Sequence, residues 1–458
     1  MTQASWAEEE MADARLCDER FRTNLARMVE ALHDQCGAHF SAAVGPALRQ
    51  SAVRLLSDED TRLDKLLAGH LQQTLRRCQT YERVLVAQDT TSLNFSSHPA
   101  TEGLGPISDK QGVHGLLVHD TLVVSPEGLP LGAPWALTWA RASEEDAPLT
   151  HRRERPITQK ESNRWLKICR RVQLEFEPYL EAGGRVTLVQ DREADIFELL
   201  ALPRHPNLDL IVRAAHPRTV EIVAEGKRSA LFQAVEAAPV LGEYAVRVPA
   251  QTGQPERVAL LKVRVTQVRI QPPRQGVGHT QEPIAIWVVQ ASEGTAKGLN
   301  WTLICTREVT TFEAACEVVR DYKARWGIER LHLTLKSGCN VERLQMDDVH
   351  TLVNGLALYL VVAWHLLYLT HLGRICPLLP AEAVVTGSEL EVLCSCAPHP
   401  VTTVAEVIRE IARLGGYTPY RNARPPGVQV LWRGLRRLED MTAGWLLARG
   451  MTDPHLSR

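Results

Sequence analysis

Several features are missing from this sequence, and each absence narrows what the chain can be. There is no CxxC pair and no Cys/His ligand spacing; the ten cysteines are scattered, and the closest pair is Cys394 and Cys396. That excludes a zinc ribbon and a disulfide scaffold, and reduced thiols in a bacterial-type cytosol are the plain expectation. No charge of one sign dominates, because 52 Lys and Arg stand against 54 Asp and Glu, a formal net charge of −2. Any contact with nucleic acid must then come from local basic patches rather than from the whole molecule. No internal repeat and no low-complexity tract occurs, which excludes solenoids and compositional disorder. Glu8, Glu9 and Glu10 stand where a secretory signal would carry bases, so no such signal is expected. Only one long uncharged run exists, Thr351 to Leu372, close to the length that spans a bilayer. Asn354, Gly355 and His365 inside it, His350 and His371 at its ends, and the lack of a second such run point to a buried core helix and no membrane.

What remains is an ordinary globular composition, 45% hydrophobic and 23% charged, over 458 residues, enough for roughly three modules. The first 80 residues read as helices over Ala7 to Arg15, Asp18 to Ala38 and Asp58 to Cys78, broken by Gly37 and Gly45-Pro46. Strands follow at Val84 to Ala87, Gly115 to Val124 and Leu129 to Trp139, then a helix over Lys160 to Leu180. Arg185 to Gln190 is a fourth strand, Ala194 to Leu202 a short helix and Leu208 to Arg213 a fifth strand. This order, with an acid closing the first and fourth strands, is that of a ribonuclease-H-like sheet: an α/β fold with a mixed sheet flanked by helices. Residues 217–300 turn to β-rich alternation and read as an insertion, and helix resumes at Thr311 and continues through Tyr322 to Lys336. The expected modules are a helical 1–75, a catalytic 76–372 and a helical 373–458.

Three constellations carry chemistry. Asp89, in VLVAQDTTSLNF, closes a buried strand, and a carboxylate held there suits a metal ligand; the plain alternative is a turn cap. Asp191, in RVTLVQDREADIFELL, closes another, with helix capping by the acids as its alternative. Tyr322, Arg325, Glu329 and Lys336 are offset by 0, 3, 7 and 14 residues. At about 100° per residue they fall on one narrow helix face, either a solvated face with salt bridges or a third carboxylate among phosphate-holding bases.

Y-x2-R-x3-E-x6-K, preceded by D-T-T and D-R-E-A-D, resembles the DDE transposases of the IS-four family, Tn-five type. The similarity continues through Lys160-Glu161-Ser162 with Arg164-Trp165, Val212-Arg213 with His216-Pro217-Arg218, Leu414-Gly415-Gly416, Pro426-Gly427 and Leu431-Trp432-Arg433-Gly434. Trp6 to Arg27, with Asp18-Glu19-Arg20, resembles the family's end-recognition domain. One departure is Ser51 to Asp58, which keeps Arg54 but lacks the family's aromatics and Asn.

The resemblance implies a cut-and-paste transposase that binds the terminal repeats of an insertion sequence, cleaves both strands through a hairpin and joins the 3′ ends to target DNA. It implies Asp89, Asp191 and Glu329 as catalytic ligands of two Mg²⁺ ions, with Mn²⁺ substituting. Tyr322, Arg325 and Lys336, assisted by Arg213, are then expected to hold phosphates, and Trp301 and Trp326 to grip a flipped base or else pack in the core. Lys160 and Arg164 belong to residues 152–171, where eight bases face two acids, an electrostatic footprint for DNA or a solvated helix face. Double-stranded DNA, a homodimer on paired ends and a bacterial cytoplasm, on the nucleoid when DNA is bound, are the expected partners and place. An inhibitory derivative that has lost transposition, or a structure-specific nuclease on the same fold, are the alternatives. In the tail, Val407, Ile408, Ile411 and Leu414, then Leu435, Leu438, Met441 and Trp445, recur at helical spacing. They either pack on the chain itself or form a symmetric dimer surface.

Overall fold

The computed structural model describes residues 5–16, 18–141, 156–248, 256–273, 282–295, 298–418 and 425–450. The chain divides into two compact units, one built from residues 1–78, 90–146 and 327–458, the other from 79–89 and 147–326. The strands among the described residues are β1 (Arg83–Asn94), β2 (Gly105–Pro106), β3 (His114–Val124), β4 (Pro130–Gly132), β5 (Ala136–Trp139), β6 (Arg185–Gln190), β7 (Leu208–Arg213), β8 (Thr219–Ile222), β9 (Lys227–Ala230), β10 (Val240–Val248), β11 (Arg257–Ile270), β12 (Ile284–Ser292) and β13 (Asn300–Cys305). β1 passes from one unit to the other at Asp89.

The unit containing residues 147–326 is organised on a sheet of order β1-β6-β7-β13-β12-β11-β8-β9, with β10 added to β11. β1, β6 and β7 are parallel, and every pairing beyond β7 is antiparallel. The parallel strands are continuously buried over Val84–Gln88, Val186–Gln190 and Leu208–Val212, as strands covered on both faces must be. Helix Phe312–Ala324 lies against β6 and β10 to β13, burying Ala315, Val318, Val319 and Tyr322. The β-rich stretch expected as an insertion is therefore continuous with the sheet, joined through β13 on β7.

Helix Phe312–Ala324 is also anchored by charge. Asp321 is buried and accepts from Arg83 Nη1 at 3.0 Å and Arg307 Nη2 at 2.9 Å. Burial pushes this carboxyl's pKa up while the two guanidiniums hold it down.

In the other unit, helix Val349–Ile375 is the core. By length and hydropathy alone it is long enough to cross a membrane, yet 83% of its most apolar window is buried inside the unit. Helices Glu19–Asp34, Gly45–Ser57, Val404–Leu414 and Val428–Ala448 pack around it, which is the buried role expected from its sequence. Gly45–Ser57 is a helix where only a break was expected: Gly45-Pro46 starts it instead of ending one, with Pro at its first turn. Leu129 to Trp139 is likewise not one strand. Both β4 and β5 pair with β3, but between them the Ala133 N–H donates to His70 Nε2 at 2.9 Å, which interrupts the ladder. The Thr90–Asn94 end of β1 also belongs here, alongside β3, with the Phe95 N–H donating to the His114 carbonyl at 2.9 Å.

Candidate active site

The register of β1 and β6 brings two of the expected carboxylates together. Ala87 stands opposite Val189, and Asp89 and Asp191 each lie two residues further on: Asp89 inside β1, which runs on to Asn94 instead of closing there, and Asp191 just past the end of β6. Parallel neighbours sit about 4.8 Å apart, and equal offset keeps both side chains on the same side of the sheet. Both are half-buried. Gln88 and Gln190, one residue earlier on each strand, are fully buried and point the other way.

Each carboxylate already has a local partner. Asp89 Oδ2 accepts from Arg325 Nη1 at 3.0 Å. Asp191 Oδ1 accepts from the Glu193 N–H at 2.9 Å and caps the turn Arg192–Ala194, so the capping expected of this acid coexists with its place beside Asp89. The other acids of the DREAD segment are structural. Glu193 pairs with Arg164, while buried Asp195 accepts from the N–H groups of Ala215 (2.8 Å) and His216 (3.0 Å) and pairs with Arg218. That ties the His216-Pro217-Arg218 loop to the turn after Asp191.

Tyr322, Trp301, Trp326 and Arg325 also converge. Tyr322 and Trp301 are buried edge to face with centroids 5.9 Å apart, Trp326 meets Trp301 edge-on at 6.2 Å, and the Arg325 guanidinium lies 5.9 Å from the Tyr322 ring. Arg213, opposite Leu303 of β13, donates to the Asn300 carbonyl at 3.4 Å.

The single helix expected through Lys336 is not there. The helix Phe312–Ala324 ends at Arg325, a second runs Trp326–Leu333, and Thr334–Gly338 is a π-helical turn. Arg325 itself keeps α-helical dihedrals, φ −52° and ψ −32°, but the π turn changes the step of about 100° per residue, so the offset of Lys336 from Tyr322 no longer follows it. Glu329 is exposed on the second helix, in the unit that contains residues 327–458. Lys336 sits in the π turn; burial pushes its pKa down while Glu342 and Asp120 hold it up. His332, set aside from the sequence, is held by the buried Asp120 carboxylate, Nε2 to Oδ1 at 2.6 Å. Nothing in the sequence pairs Asp120 with His332, because β3 and the helix are far apart along the chain.

Among the described residues, no group of three or more His, Cys, Asp or Glu side chains is gathered to hold a metal ion. The donor set of Asp89 and Asp191, carboxylate oxygens alone, does fit a hard cation such as Mg²⁺. Of the basic stretch 152–171, Arg152, Arg153 and Arg155 lie outside the described residues. Lys160 is half-buried, Arg171 pairs with Glu175 at 2.9 Å, and Lys167 and Arg170 are exposed.

Comparison with known proteins bears on the C-terminal part. Residues 361–454 match the family described as the Transposase Tn5 dimerisation domain, and this supports a transposase. Among solved structures, the chain is similar to one described as the cryo-EM structure of piggyBac transposase synaptic complex with hairpin DNA. Identity is 10% and the TM-score 0.35, covering 99% of this chain and 79% of that one, too remote a likeness to bear on fold or function.

Proposed function

We propose that the chain is a DDE transposase of the IS-four, Tn-five type, acting by strand cleavage and strand transfer on DNA. The observation that carries the reading is the register of β1 with β6, which sets Asp89, inside β1, level with Asp191, the residue that follows β6. The parallel order β1-β6-β7, with β3 alongside the far end of β1, supports a ribonuclease-H-like core. The C-terminal similarity to a transposase dimerisation domain supports the same function over a nuclease, which has no need to pair two ends.

Asp89 and Asp191, with Glu329 as third by resemblance, are the residues that would hold Mg²⁺. When bound, a pair of such ions supplies activation of the attacking oxygen and stabilisation of the leaving one. The chain's own groups do the rest. Strand β1 holds Asp89 rigidly and the end of β6 holds Asp191, and backbone capping by Asp191 leaves its second oxygen for the ion. Arg325 and Lys336 offer guanidinium and ammonium donors to the phosphates of the DNA end. Trp301 lies too deep to be a first contact for a base, whereas Trp326 at its edge is half-buried and reachable. Transposon ends, target DNA and a second copy of the chain are the proposed partners, in the bacterial cytoplasm. Hairpin formation belongs to the same proposal.

The test uses the full chain with Mg²⁺ and a plasmid carrying the DNA that flanks the gene. Asp89→Ala, Asp191→Ala and Glu329→Ala are each expected to abolish cleavage while leaving gel-shift binding of that DNA within about threefold of wild type. Mg²⁺-dependent nicking by any of the three at wild-type rate would remove that residue from the ligand set.

A further inference from the structure

We propose that Arg325 is a resident counter-cation for Asp89, closing this carboxylate to metal until a DNA phosphate draws the guanidinium away. The inference rests on the metal-site reading above and adds an order of events to it: DNA first, metal second. The ion pair is close and sheltered. Arg325 Nη1 lies 3.0 Å from Asp89 Oδ2, with the Arg325 side chain 9% and the Asp89 side chain 19% exposed. The oxygen so occupied belongs to the carboxylate that the β1–β6 register sets level with Asp191, the other acid that would hold a cation.

Arg325 is also placed to move. It is the C-cap between helix Phe312–Ala324 and the helix that starts at Trp326, and its own N–H is held by the Tyr322 carbonyl at 3.2 Å. A side chain at such a junction swings without unwinding a helix on either side. A dication arriving at Asp89 meets the guanidinium at contact distance and is repelled, and displacing the guanidinium breaks a sheltered ion pair. A phosphate removes both obstacles, because it takes a guanidinium through two parallel N–H···O bonds. Phosphate and carboxylate thus compete for one guanidinium, and metal loading follows the outcome. Such a device would keep the enzyme from cleaving before an end is seated.

The experiment titrates Mn²⁺ into the full chain and reads bound metal by electron paramagnetic resonance, without DNA and with a short duplex bearing a free 3′ end. Wild type is expected to bind Mn²⁺ weakly alone and at least about tenfold more tightly with the duplex. Arg325→Ala should bind tightly without DNA and gain little from it. Arg325→Gln, which keeps a polar stem, should behave the same and guards against a packing defect in the smaller variant. Asp89→Asn added to either should abolish the tight site. If both Arg325 variants bind Mn²⁺ no more tightly than wild type while Asp89→Asn removes binding, the counter-cation role is wrong and the metal site stands. If Asp89→Asn and Asp191→Asn leave Mn²⁺ binding unchanged with and without DNA, the metal-site reading fails and takes the proposal with it.

Discussion

Asp321 illustrates how little a residue's neighbours in sequence say about its work. It precedes Tyr322 in a helix, where an exposed acid would be unremarked, yet it is buried between Arg83 at the start of β1 and Arg307 after β13. Removing it leaves the more exposed Glu317, 2.9 Å from Arg83 and 3.9 Å from Arg307, as the acid beside the two guanidiniums. Asp321→Ala should therefore destabilise its unit by about 2–3 kcal/mol in urea unfolding, less than the loss of an unshared buried partner. Asp321→Asn, which keeps the shape and can accept a hydrogen bond, should cost less. Equal loss from both variants would mean that packing, not charge, anchors this helix. At the same scale, the DREAD segment separates acids that the sequence leaves equivalent. Strand alternation and the register of β6 with β1 single out Asp191, whereas Asp195 is consumed by the backbone of Ala215 and His216.

Elements decide the next level. The constant helical phase assumed from Tyr322 to Lys336 is interrupted at Arg325, two residues before Gly327, and at the π turn, which closes on Gly338. Those two glycines are its trace in the sequence, because glycine lowers helix propensity. Glycines in the tail were legible as a motif but not as a cause. The cause is close approach: a Cβ on Gly434 would lie 1.7 Å from the Ile411 carbonyl oxygen, and one on Gly415 would lie 1.8 Å from that of Val430. Helices Val404–Leu414 and Val428–Ala448 thus meet backbone to backbone. Gly434→Ala should force them apart at a cost of about 1–3 kcal/mol, seen as a lowered melting temperature. Gly444→Ala, with open space around it, is the control expected to be neutral or slightly stabilising. An unchanged melting temperature in Gly434→Ala would contradict this helix crossing.

For the molecule as a whole, the tail's apolar residues divide between the two uses left open by their spacing. Val407, Ile408, Ile411, Leu435 and Leu438 are buried, in helices that pack on each other and on Val349–Ile375. Met441 and Leu447 remain exposed, the latter at 61%. A dimer surface in this segment must use that remainder. Met441→Glu with Leu447→Glu should weaken self-association in sedimentation without lowering the melting temperature by more than a few degrees. Deleting 405–458 would be a poorer test, because it uncovers the core helix itself. Acid should also act on the whole unit. Trp6 stacks on His365 at 3.8 Å, and His365 Nδ1 meets His33 Nε2 at 3.2 Å. Burial holds the His33 pKa down to about 4 and that of His365 well below its usual value. The unfolded chain then binds more protons than the folded one below about pH 6.5. Stability is full above that pH and should fall by about 3 kcal/mol, from His33 alone, on descent to about pH 4. His33→Gln should flatten this slope in a pH series of urea melts; an unaltered slope would assign the acid sensitivity to other groups.

The sequence by itself determined where the buried runs Val84–Ala87, Arg185–Gln190 and Leu208–Arg213 lie, because a short apolar run is a local pattern of polarity, but not that they pair in parallel or that β1 continues through Asp89 to Asn94. It determined the buried helix at 351–372 by the same kind of pattern, and its motifs foretold a transposase, which the C-terminal match supports. Only the tertiary structure decided that Asp89 and Asp191 share a register, that Arg325 sits on Asp89, and that Asp120 holds His332. Each of these joins residues more than a hundred positions apart. Pairings at such separation are set by how whole elements pack, and that energy is summed over many residues rather than written in any one of them.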